Sequence, residues 1–75
     1  MTAMPPVHLV VASAEEAADG NAEFWCGPEL MAVTVFHEGR LHLRVDPRHD
    51  GEPWLIDTET LALALEDAAQ QIATY

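Results

Sequence analysis

The chain contains no lysine. Its basic residues are three arginines, Arg40, Arg44 and Arg48, set against thirteen acids, for a formal charge of −10 over 75 residues. A balance of that sign repels nucleic-acid phosphate and anionic membrane surfaces and favours basic partners, which argues against direct nucleic-acid binding. Cysteine is nearly absent too: Cys26 alone excludes an intrachain disulfide framework and agrees with a reducing, cytoplasmic location. No uninterrupted apolar run approaches the roughly 18 residues of a membrane span, and no basic segment leads into a signal-type apolar run. Glycine-rich phosphate loops are missing. What the sequence does have is apolar material, 49% of residues, which excludes a disordered acidic tail and leaves one domain over 1–75, with 1–6 a loose lead-in.

The charge is unevenly placed. Residues 1–39 carry six acids and no base, and residues 49–75 do the same; the short stretch between them holds all three arginines and only Asp46. Twelve alanines against two isoleucines and one asparagine point to a GC-rich genome, so part of the acidity is a compositional habit. The local basic stretch needs a separate explanation.

Along the chain, Val7 to Ala12 is a nearly continuous apolar run, as in a strand covered on both faces. Ser13-Ala14-Glu15-Glu16 fits a capping box, and Gly20 a helix stop, for a helix of one or two turns or a plain loop. Ala22 to Cys26 reads as a second strand closed by Gly27-Pro28. Asp46 to Pro53 is a polar connection, and Trp54-Leu55-Ile56 a brief extended segment. Asp57 is a good N-cap for a helix from Thr58 to about Ala73, whose apolar stripe is Leu61, Ala64, Leu65, Ala68 and Ile72, extendable to Tyr75.

Leu30 to Val45 is a hairpin, and its register can be argued. A two-residue turn at Glu38-Gly39 would set Val35 opposite His42 and Val33 opposite Arg44, mixing apolar and charged residues on both faces. A three-residue loop, His37-Glu38-Gly39, instead puts Met31, Val33, Val35, Leu41, Leu43 and Val45 on one face, with Gly39 in the left-handed position. The second face then shows Ala32, Thr34, Phe36, Arg40, His42 and Arg44. The expected fold is α+β: a small antiparallel sheet of three or four strands with one C-terminal helix packed on one face.

Candidate sites follow from that map. Trp25 joins the second face if Phe24 and Cys26 point to the helix. Aromatics flanked by arginine have the composition of an interface hot spot, so Trp25, Phe36, Arg40, His42 and Arg44 are the expected partner-binding residues. Leu63, set among Glu59, Glu66 and Gln70 on the outer side of the helix, is a further candidate contact. Cys26, His37, His42 and His49 share no zinc-type spacing, and Asp46, Asp50 and Glu52 lack the order of a calcium loop, so no metal or cofactor is expected. A Cys26–His pair is the only conceivable nucleophile arrangement, and nothing brings it together; the chain is not expected to be an enzyme.

Gly39-Arg40-Leu41-His42-Leu43-Arg44-Val45-Asp46, followed by Ile56-Asp57-Thr58-Glu59-Thr60-Leu61-Ala62-Leu63-Ala64-Leu65, resembles small acidic uncharacterised proteins of actinobacteria and their phages. The resemblance covers about the second half of the chain and implies no activity and no site. The functional expectation is a non-enzymatic protein–protein interaction module of unknown partner, most simply a homodimer. Two alternatives come from other classes. One is an acidic nucleic-acid-mimicking inhibitor, with Glu15, Glu16, Asp19, Glu23, Glu29, Asp57, Glu59, Glu66 and Asp67 as its array. The other is a small metal- or ligand-binding domain using His37, His42 or His49.

Overall fold

The computed structural model describes residues 7–11 and 13–74. The loose lead-in 1–6, the end of the first apolar run at Ala12 and the extension of the helical stripe to Tyr75 lie outside them. Six elements follow one another: β1 (Val7–Val10), α1 (Ala14–Ala18), β2 (Glu23–Cys26), β3 (Glu29–His37), β4 (Arg40–Val45) and α2 (Thr58–Thr74). The strands form one antiparallel sheet in the order β1-β2-β3-β4, so every neighbour in space is a neighbour in sequence. The fold is α+β, four strands with a C-terminal helix on one face.

Local chemistry explains the ends of the elements. Ser13 caps α1 by accepting the Glu16 amide on its hydroxyl oxygen at 3.1 Å. Asp57 caps α2 by accepting both the backbone N–H and the hydroxyl of Thr60, at 2.9 and 3.0 Å. Those two bonds hold the Asp57 carboxyl below the usual carboxylate range. Between β4 and α2 the chain is pinned rather than strand-like. Trp54 Nε1 donates to the Asp46 carbonyl at 2.7 Å, Arg48 lies over the Trp54 ring at 5.6 Å, and Trp54 and Ile56 pack against the core while Leu55 is exposed. Glu29, at the start of β3, accepts the His49 amide at 2.8 Å, and His49 Nδ1 lies 2.9 Å from the other carboxylate oxygen.

The hairpin register is not the expected one. His37 pairs with Arg40, Phe36 with Leu41, Val35 with His42, Thr34 with Leu43, Val33 with Arg44 and Ala32 with Val45. The turn is the two-residue Glu38-Gly39, both residues at positive φ (53° and 77°), as a type I′ turn requires. Because paired residues share a face, β3 is inverted relative to β4 compared with the three-residue reading. Leu41, Leu43 and Val45 face the helix side as expected, although Val45 is exposed. Val33 and Val35 do not: they face away, and Ala32, Thr34 and Phe36 take their places.

Two devices make this register workable. The hydroxyl of Thr34, the one buried polar side chain among the described residues, donates to the Gly20 carbonyl and accepts from the Ala22 amide, each at 2.7 Å. Between Phe24 and Trp25 the β2–β3 register slips by one residue. The slip lets adjacent Met31 and Ala32 both be buried in the core, as a β-bulge permits.

The core is Ala22, Phe24, Met31, Ala32 and Ala68, with Val7, Leu9, Val11, Leu43, Trp54, Ile56, Leu61, Ala64 and Ile72 packed around it. The helical stripe is therefore used as expected except at Leu65, which is 36% exposed. Strand β1 is an edge strand that packs against the core through Val7 and Leu9 on one face, while His8 on the other is exposed, so it is not covered on both.

Candidate docking face

Among the described residues the helices lie on one side of the sheet and leave the other face open, and alternation along the strands says which residues line it. Phe24 and Cys26 are buried toward the helix side, so Glu23 and Trp25 point the other way. Thr34 is buried, so Val33 and Val35 do too. Cross-strand pairing then arranges the open face in rows. His8, Trp25 and Leu30 form one row; Val10, Glu23, Val33 and Arg44 form the next; Val35 with His42, then His37 with Arg40, continue up the hairpin. Val10, Trp25, Leu30, Val33 and Val35 are half-buried and give this face apolar residues on three strands, with Glu23 set between Val10 and Val33.

The electrostatics of this face differ from those of the rest of the molecule. Arg40 and Arg44 stand on it, and Glu23 is the one acid among its strand residues. Glu23 is oriented locally, since Trp25 Nε1 donates to its carboxylate at 3.1 Å. Arg44 reaches Asp46 only loosely, at 3.7 Å, and its side chain is 62% exposed. His37 and His42 meet edge to face at 5.2 Å, with His42 Nδ1 2.9 Å from the Arg40 carbonyl oxygen.

Of the expected partner-binding residues, Trp25, Arg40, His42 and Arg44 lie together on the open face. Phe36 does not. It is on the helix side at the top of the hairpin, half-exposed, where its ring packs over Gly20 and lines a crevice of about 420 Å³ with Leu41 and Ile72. Leu63 is 67% exposed at the other end of α2, beside Val7 and Leu9, in a crevice of about 440 Å³. The residues that sequence reasoning did not assign to this face are His8, Val10, Glu23, Leu30, His37, Val33 and Val35. The signal for the last two was the Glu38-Gly39 turn read as two residues.

The residues of the two alternatives fall in several places. The proposed acidic array is divided: Glu23 is on the open face, Glu29 is clipped to His49, Glu15 and Glu16 are in α1 with Asp19 at its C-cap, Asp57 caps α2, and Glu59, Glu66 and Asp67 lie along α2. Among the described residues no group of three or more His, Cys, Asp and Glu side chains could hold a metal ion. His49 is bound to Glu29, while the His37–His42 pair stands on the hairpin. Nor is any helix of the described residues long and apolar enough to cross a membrane. No protein-family model, curated protein or solved structure matches the chain.

Proposed function

We propose that this is a non-enzymatic interaction module whose docking surface is the open sheet face, and that its simplest partner is a second copy of itself. The observation that carries the reading is the set Val10, Trp25, Leu30, Val33 and Val35, grouped around Glu23 on the sheet face that no helix of the described residues covers. Apolar surface of that kind, centred on a tryptophan and rimmed by arginine, is what protein interfaces are built from. A chain of 75 residues has little core of its own, and covering the second face by association adds burial that the monomer lacks.

Charge favours the same face. Two molecules of charge −10 repel, and the open face, whose strands carry two arginines and one glutamate with Asp46 beside Arg44, is where they approach at least cost. Four strands about 4.8 Å apart span roughly 20 Å, so the face supplies on the order of 400–600 Å² per copy. A standard interface takes about 800 Å² per partner, which puts the self-association in the micromolar, transient class.

Sedimentation equilibrium from about 5 to 500 μM tests the proposal. The wild-type chain is expected to pass from monomer to dimer over this range, and Val33→Glu, which adds a second carboxylate directly beside Glu23, is expected to stay monomeric. A wild-type chain that remains monomeric throughout contradicts self-association.

A further inference from the structure

We propose that the two copies stack open face on open face about a two-fold axis running along the strands, with Arg44 of each copy paired to Glu23 of the other. This rests on the self-association proposed above and adds its geometry.

The row Val10, Glu23, Val33, Arg44 crosses the sheet from edge to edge. Rotation about an in-plane axis parallel to the strands, midway between β2 and β3, lays this row over its own reverse. Val10 then faces Arg44 of the second copy, and Glu23 faces Val33. Arg44 is displaced from Glu23 of the second copy by one strand spacing, about 4.8 Å, across a gap of about 10 Å between packed sheets. An arginine and a glutamate reaching from opposite walls close that gap. Within one chain the same two residues are separated by the whole width of β3, so they do not satisfy each other.

A two-fold axis across the strands through this row sets Arg44 on Arg44 and Glu23 on Glu23, and like charges brought together in an interface are strongly disfavoured. An isologous interface must be self-complementary, and only the axis along the strands makes this row so. Trp25 supports the assignment, because its indole N–H at 3.1 Å holds the Glu23 carboxylate in place on the open face. Arg44 is free to respond, its contact with Asp46 being long and solvent-exposed.

The test is a charge-reversal mixing experiment. Glu23→Arg and Arg44→Glu are made as separate chains, and each is checked for wild-type circular dichroism and melting. Each alone sets like charges opposite each other twice per dimer and is expected to weaken association about tenfold or more relative to wild type. An equimolar mixture of the two restores both pairs with opposite sign and is expected to form a heterodimer within about threefold of wild-type affinity. Rescue between two different molecules cannot arise from a change inside either one. An axis across the strands would also set arginine on glutamate in the mixture, so single variants that associate as tightly as wild type overturn the axis along the strands. Should wild type dimerise and Val33→Glu abolish it, but the mixture stay as weak as its components, the axis and the pairing are overturned while the docking face stands. Should wild type never dimerise, both proposals fall.

Discussion

The Thr34 hydroxyl oxygen stands 2.7 Å from the Gly20 carbonyl oxygen and 2.7 Å from the Ala22 amide nitrogen, fastening the chain between α1 and β2 to the middle of β3. A third bond, from the Thr34 amide to the Ala22 carbonyl at 3.0 Å, completes the junction. One polar side chain thus satisfies a donor and an acceptor that would otherwise be buried without partners, and the price of placing a hydroxyl in the core is removed.

Thr34→Val keeps the shape and deletes the hydroxyl. It is expected to cost about 2 kcal/mol, because two buried backbone groups lose their partner, and to lower the melting temperature by roughly 10 °C. Thr34→Ser retains both bonds and is expected to lose less than half as much. Equal loss in the two variants would mean that the hydroxyl bonds are not what holds this junction.

Gly20 and Gly51 both have positive φ, 75° and 78°. A Cβ at Gly20 would lie 2.5 Å from Phe36 Cδ2, whereas at Gly51 it would meet nothing within 4 Å. Alanine at Gly51 is expected to cost about 1–2 kcal/mol, the left-handed backbone alone. Alanine at Gly20 is expected to cost clearly more, since the Phe36 ring must also move. Chemical denaturation of the two variants gives the difference directly, and equal costs would contradict the close packing of Phe36 over Gly20.

Glu38 is the non-glycine residue with positive φ among the described residues, at 53°. Glu38→Gly is expected to stabilise the protein by about 1 kcal/mol, since the strain of a left-handed glutamate disappears. The sign is diagnostic of the turn. In a three-residue loop position 38 would be right-handed, and glycine there would destabilise.

Acid should loosen the connection between β4 and α2. The His49 backbone N–H, and then its ring, hold the Glu29 carboxyl below its ordinary value of 4.5. A carboxyl depressed in the folded state adds stability that is complete above the ordinary value and is lost as pH falls through the lower, folded one. Wild type and Glu29→Gln are therefore expected to differ in denaturation midpoint near neutrality and to converge as pH drops below about 4.5. A constant difference across that range would show that ionisation of Glu29 is not involved.

Much of the architecture was legible because local signals were strong. Ser13 and Asp57 announced their caps, Gly27-Pro28 its turn, and the Leu61–Ile72 spacing the buried face of α2. The alternation of Arg40, His42 and Arg44 with Leu41, Leu43 and Val45 set the faces of β4. The register was not legible, for a physical reason. Placing aliphatic residues inside favours Val33 and Val35 over Ala32 and Thr34, and only the long-range bonds from Gly20 and Ala22 make a buried threonine acceptable. The bulge that buries Met31 beside Ala32 is likewise a tertiary event with no signature in a period-two pattern. The candidate site divides the same way: the pattern of β2 and β4 sets Trp25, Arg40, His42 and Arg44 on the open face, as observed, whereas the three-residue register sets Phe36 there and leaves out Val33 and Val35.

The most direct test of the docking face is a methyl and indole NMR dilution series on the wild-type chain. Between about 500 and 5 μM, signals from Val10, Trp25, Leu30, Val33 and Val35 are expected to shift together along one binding curve, while Leu55 and Leu63 stay still. Shifts confined to Leu63 and the outer side of α2, or no shifts at all, would contradict the assignment of the open sheet face as the surface on which two copies meet.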